Sequence, residues 1–165
     1  MRIKIRVSTI LFILFTATLV YSQDWRYYNN ENLFKGDAVV FKETYTPPIL
    51  MPSNIERFSP SDDEIVLAES ILLERYNIDF EWSNKIKNVK KKYWKYNRQY
   101  LGYIDSQGNK KIIISLMNFK RKKEALKMFE GWEKTFVIGF GSYYETNLRI
   151  FVADLSLHKL SKLGQ

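Results

Sequence analysis

The stretch YWKYNRQYLGYIDSQGNKKIIISLMNF, residues 93–119, decides the fold. Aromatic and β-branched residues fill two runs, Tyr93 to Ile104 and Lys111 to Phe119, and both read as strands. Between them lie Asp105-Ser106-Gln107-Gly108-Asn109, turn formers with Gly108 placed for a positive φ. Two strands joined by a tight hairpin loop are therefore the nucleus of the reading. Upstream, Ser61-Asp62-Asp63-Glu64 fits a capping box, and three acids in a first turn suit the positive end of a helix dipole. Ile65, Ala68, Leu72, Leu73 and Tyr76 then recur at helical spacing, which predicts an amphipathic helix over 62–76.

Working outward, Ala38 to Tyr45 is β-branched and aromatic and predicts a first strand. Pro47, Pro48, Pro52 and Pro60 make residues 46–60 an extended connection. Downstream, Lys120 to Gly131 predicts a short helix or helical loop with Ala125, Leu126 and Phe129 turned inward. Strands are then expected at Thr135–Phe140, at Tyr143–Ala153 with Leu148, Ile150 and Val152 alternating, and at Lys159–Leu163. The resulting expectation is an α+β fold, one main N-terminal helix packed on a four- to five-stranded antiparallel sheet.

The chain of 165 residues has the size of a single domain, and its 45% hydrophobic and 16% aromatic content supplies a core. Its first residues carry Arg2, Lys4 and Arg6 without an acid, followed by an apolar run from Val7 to Val20 and then Tyr21-Ser22. A charged start, a short apolar run and a small-residue exit are the parts of a cleavable secretory signal. Those fourteen residues, interrupted only by Ser8, Thr9, Thr16 and Thr18, rise only about 21 Å as a helix, short of a hydrocarbon core of roughly 30 Å. The expected organisation is thus a signal peptide at 1–22, a loose lead-in at 23–37 and a single α+β domain at 38–165. The product is periplasmic or secreted, with no stable transmembrane span after cleavage near Ser22/Gln23. Losing that segment takes the net charge from +8 to +5, a modest excess that does not suggest nucleic acid.

The absence of cysteine excludes disulfides, thiolate metal sites and cysteine nucleophiles. His158 is the only histidine, so a histidine-based triad or zinc site lacks material, and it reads as a solvated surface residue. Capping accounts for Asp62, Asp63 and Glu64, and Gly139-Phe140-Gly141 is a bare G-x-G without a strand–helix context. No catalytic residue, metal ligand or cofactor site emerges. The densest chemistry is basic: Lys85 to Arg98 carries seven cations with Tyr93, Trp94 and Tyr96 interleaved, and Lys120 to Lys123 adds four. Lys90, Lys91, Lys92, Trp94 and Lys95 are accordingly candidate binding residues for a polyanion, the alternative being a solvated strand edge guarded by lysines.

One pair breaks its local pattern. Glu69 falls inside the apolar stripe of the helix, and Arg98 shares a strand face with Tyr96, Tyr100 and Ile104. A buried charge needs a partner, so Glu69 and Arg98 are expected to form one structural ion pair, hydrogen-bonded by Tyr96 or Tyr100. A ligand site at the same residues is the competing expectation.

Phe58-Ser59-Pro60-Ser61 leading to Glu64-Ile65 and Ala68-Glu69, then Arg98-Gln99-Tyr100-Leu101-Gly102-Tyr103-Ile104, Trp132-Glu133-Lys134 and Gly141-Ser142-Tyr143-Tyr144, resembles a group of small exported bacterial proteins of unassigned function. The resemblance spans roughly residues 38–163 and departs from that pattern at Phe140-Gly141-Ser142, where an acid and two glycines are expected. The helix-then-meander order is also similar to cystatin-like and PepSY-like modules, which bind or inhibit rather than catalyse. These readings imply a non-enzymatic binding or interaction module whose partner is an envelope or extracellular protein or a polyanion. A small carboxylate-based hydrolase and a binder of anionic envelope polymers are the alternatives. N-terminal sequencing and intact mass of the protein from its host should show a chain beginning at Gln23. A membrane-bound product still starting at Met1 overturns the signal reading.

Overall fold

The computed structural model describes residues 23–48, 55–80 and 93–163. Its elements in chain order are β1 (Trp25–Tyr28), β2 (Ala38–Phe41), β3 (Glu56–Phe58), α1 (Asp62–Phe80), β4 (Asn97–Ile104) and β5 (Lys110–Met117). They continue with α2 (Lys122–Met128), α3 (Ser142–Asn147), β6 (Leu148–Asp154) and β7 (Lys159–Lys162). The strands form one seven-stranded mixed sheet in the order β1-β2-β4-β5-β6-β7, with β3 also paired to β4. This corrects the expectation of a single helix on four or five antiparallel strands.

The hairpin that opened the sequence reading is the centre of that sheet. β4 and β5 pair antiparallel from Asn97↔Met117 to Ile104↔Lys110. The Asp105 side chain accepts the amides of Gln107 and Asn109, both at 2.9 Å, and Gly108 takes φ 81°. Lys111, with Nζ 2.8 Å from Asp105 and 3.3 Å from Asp154, ties the loop to β6 and holds the Asp105 carboxyl well below the usual range.

Three local readings fail for physical reasons. First, β2 pairs with β4 in parallel, Ala38↔Arg98 through Phe41↔Leu101, so the two are joined by a crossover containing β3 and α1. All four β2 residues are buried, as suits a strand covered on both faces. Second, the polar-aromatic lead-in contains β1, an edge strand antiparallel to β2 with Trp25 and Tyr28 buried. Third, Thr135–Phe140 forms no strand, and Tyr143 lies in α3, so β6 begins only at Leu148.

The sheet carries a hydrophobic core on each face. α1 packs against β5, β6 and β7 and buries Ile65, Ala68, Ile71 and Leu72 over Val40, Tyr100, Ile112, Ile114 and Phe151. Its capping box is formed, with Ser61 N donating to Glu64 Oε2 at 2.9 Å and Glu64 N to Ser61 Oγ at 3.2 Å. On the opposite face Val39, Phe41, Leu101, Ile113 and Val152 pack under Ala125, Phe129, Trp132 and Phe136, contributed by α2 and the segment after it. Leu126, expected to face inward, is half exposed.

Gly102 allows β3 to close on β4. A Cβ there would stand 2.7 Å from the Phe58 carbonyl oxygen and 2.9 Å from its ring, while Arg57 Nε donates to the Gly102 carbonyl at 2.6 Å. Replacing Gly102 by Ala must push β3 away, and overpacking of this kind costs about 1–3 kcal/mol. Denaturant melting of Gly102→Ala should show that loss. A midpoint equal to that of the unmodified protein would mean that β3 contributes nothing to the fold.

Candidate functional site

β4 places polar side chains on both covered faces, and each recruits a partner. On the α1 side Arg98 Nε donates to Glu69 Oε1 at 2.9 Å, and the Tyr100 hydroxyl donates to the same oxygen at 2.7 Å. Arg98 Nη1 donates to the Tyr96 carbonyl at 2.6 Å, and its guanidinium lies over the Phe34 ring at 4.0 Å. Tyr96 thus enters through its backbone, whereas Tyr100 enters through its hydroxyl. Burial, then the Glu69 charge, push the Tyr100 hydroxyl well above its ordinary range, so it remains a donor. Glu69 is 1% exposed and Arg98 2%, which closes this pair to any solute.

On the other face Gln99 is fully buried and uses both ends of its amide. Its Nε2 donates to the Trp132 carbonyl at 2.5 Å and the Thr135 carbonyl at 2.8 Å, and its Oε1 accepts the Val137 amide at 2.8 Å. The Tyr45 hydroxyl accepts the Phe136 amide at 2.7 Å. The segment read as a strand therefore satisfies its backbone through side chains of the sheet and its neighbours. Gln99 was legible only as a polar residue within an apolar strand, and nothing in the sequence points to Tyr45.

Beyond that segment, β5, α2 and α3 frame a polar cleft of about 550 Å³ whose lining includes Asn118, Lys120, Arg121, Glu124, Tyr143 and Asn147. Asn118 N donates to the Asn147 carbonyl at 2.8 Å and Asn118 Nδ2 to Asn147 Oδ1 at 3.2 Å. Asn118 Oδ1 in turn accepts the Lys120 amide at 3.0 Å, so the two asparagines brace the cleft. Tyr143 and Tyr144 pack against Phe129, and Tyr144 donates its hydroxyl to the Met128 carbonyl at 2.9 Å. Arg149 caps α3 through the carbonyls of Glu145 and Leu148.

The charge around this cleft is mostly positive, with Glu124 and Glu145 as the acids on α2 and α3. Lys110 pairs with Glu64 at 2.7 Å, and Lys111 holds two carboxylates. Among the described residues Lys120, Lys122, Lys123 and Lys127 pair with no carboxylate, and Arg121, 85% exposed, stands 3.7 Å from Glu124. Unpaired cations beside a polar cleft can collect phosphate, sulfate or carboxylate groups.

The earlier candidates sit elsewhere. Lys90, Lys91 and Lys92 lie outside the described residues. Trp94 is half-buried, with its carbonyl accepting the Lys35 amide at 2.7 Å, and Lys95 is exposed in the same turn. His158, at φ 52°, lies on the surface with Nε2 3.1 Å from Glu74 Oε2. A second cleft of about 480 Å³ beside β1 mixes Glu31, Asp37 and Lys35 and has no dominant sign. Among the described residues no cluster of His, Asp or Glu is arranged to hold a metal ion. Comparison of the chain with protein-family models, curated proteins and solved structures finds no match.

Removing one member of the Glu69–Arg98 pair strands the other in the core, which typically costs about 3–5 kcal/mol. Glu69→Leu and Arg98→Met should each destabilise the protein severely, and the double variant should lose clearly less than the sum. Denaturant melting of the three variants measures this coupling. Strict additivity would deny it.

Proposed function

We propose that this chain is an exported, non-enzymatic binding module that recognises an anionic component of the cell envelope. The observation that carries the reading is the set of lysines without carboxylate partners, Lys120, Lys122, Lys123 and Lys127, gathered with Arg121 beside the α2–α3 cleft. Export rests on the charged, then apolar, first 22 residues of the sequence. Among the described residues no helix is long and apolar enough to cross a membrane.

Four of the buried and half-buried carboxylates favour binding over hydrolysis. Glu69 is committed to Arg98 and Tyr100, and Glu64 to the helix cap and Lys110. Asp105 is committed to its hairpin loop and Lys111. Asp154 holds Lys111 and the amides of Ser156 and Leu157. Carboxylates serving as acid and base must be free to exchange protons with substrate. These are occupied with holding the structure together.

The described residues from Asp24 to Leu163 contain the whole sheet and both cores, so a chain starting at Gln23 is the form to test. Its binding to dextran sulfate, followed by fluorescence anisotropy, should weaken linearly on a log–log plot as sodium chloride rises. Replacing Lys122, Lys123 and Lys127 together by Gln should lower that slope by roughly 2. Binding that ignores salt, or a triple variant that binds as tightly as the parent, overturns the proposal.

A further inference from the structure

Phe140 is 93% exposed, although it follows a segment fixed to the sheet by Gln99 and Tyr45. The glycines on either side account for its presentation. A Cβ on Gly139 would stand 2.1 Å from the Tyr144 ring, so only glycine lets the loop lie against that tyrosine. Gly141 takes φ 93°, a turn that other residues resist. The Tyr144 hydroxyl holds the Met128 carbonyl, which brings this loop to the C-terminal end of α2. On α2 itself Leu126 is 51% exposed among Lys122, Lys123 and Lys127, and the helix's one acid, Glu124, lies 3.7 Å from Arg121.

Exposed apolar side chains on and beside a helix rich in cations are the make-up of a membrane-surface contact, in which the apolar groups enter the headgroup boundary and the cations meet phosphates. We propose that α2 and the Phe140 loop dock on the headgroup layer of an anionic bilayer. Phe140 and Leu126 enter that layer, and Arg121, Lys122, Lys123 and Lys127 rest on its phosphates. The inference rests on the anion-binding reading above and narrows it to one surface. A soluble polyanion satisfies the lysines but offers an aliphatic Leu126 nothing, whereas a bilayer satisfies both. The rigid base under Phe140 means that little ordering is lost on contact, which favours insertion.

The experiment uses the chain from Gln23 with vesicles of phosphatidylglycerol and phosphatidylcholine, and with vesicles of phosphatidylcholine alone. Co-sedimentation should occur with the anionic vesicles only and should be lost in high salt. Phe140→Ser, at a position too exposed to disturb either core, should weaken vesicle binding roughly tenfold while leaving dextran sulfate binding unchanged. The emission of Phe140→Trp, less that of the parent protein, should shift to the blue on adding anionic vesicles. If Phe140→Ser binds vesicles like the parent, or Phe140→Trp shows no shift, the bilayer inference falls. The anion-binding reading then stands or falls on dextran sulfate alone. Equal binding to neutral and anionic vesicles also overturns the inference. Binding to neither vesicles nor dextran sulfate removes both.

Discussion

A strand covered on both faces has no solvent in which to leave a polar side chain, and β4 carries three such residues in succession. Asn97, Arg98 and Gln99 are all buried, and each reaches a different part of the molecule. Asn97 Oδ1 accepts the Asp37 amide at 3.2 Å and fixes the entrance to β2. Arg98 holds α1 through Glu69, and Gln99 holds the segment from Trp132 to Val137. Unpaired, each would carry a desolvation penalty of about 1–3 kcal/mol, and more for the guanidinium. Paired, they set where every layer lies relative to the central strand.

This arrangement explains how a chain without cysteine builds three layers. The apolar cores supply attraction without direction, because an α1 or a loop can slide over a greasy sheet at small cost. Hydrogen bonds from one strand to fixed atoms above and below remove that freedom. The loop below gains most. It has no ladder of its own, yet its amides and carbonyls at Thr135, Phe136 and Val137 are met by Gln99 and Tyr45. An irregular segment so anchored can present the α3 end of the cleft as steadily as a strand would.

Much of this was legible in the sequence, and the failures fall where a segment depends on partners far away in the chain. The hairpin, the capping box and the helical stripe are written in residues near one another, and local physics suffices to read them. The second core is written in the absence of alternation. Ala38-Val39-Val40-Phe41 and Ile112-Ile113-Ile114 are apolar on both faces, which a one-sided sheet under a single helix cannot use. That signal implied a covering layer opposite α1 and a parallel partner for β2. Thr135 to Phe140 misled in the opposite way, since its β-prone residues satisfy a loop whose partners lie far away in sequence. The basic residues around the cleft were visible as a run, but their lack of partners is a property of three dimensions.

The parallel pairing of β2 with β4 also governs the order in which the chain can acquire structure. Residues 38–41 have no partner on that side until residues 98–101 have been made, and β4 in turn waits for β5 and β6. Closing such a separation costs conformational entropy before any contact repays it, so topologies of high contact order fold late. During synthesis one edge of β2 therefore stays unpaired until β4 has been made. The crossover that completes the sheet thus makes its N-terminal strands the last to be locked in place.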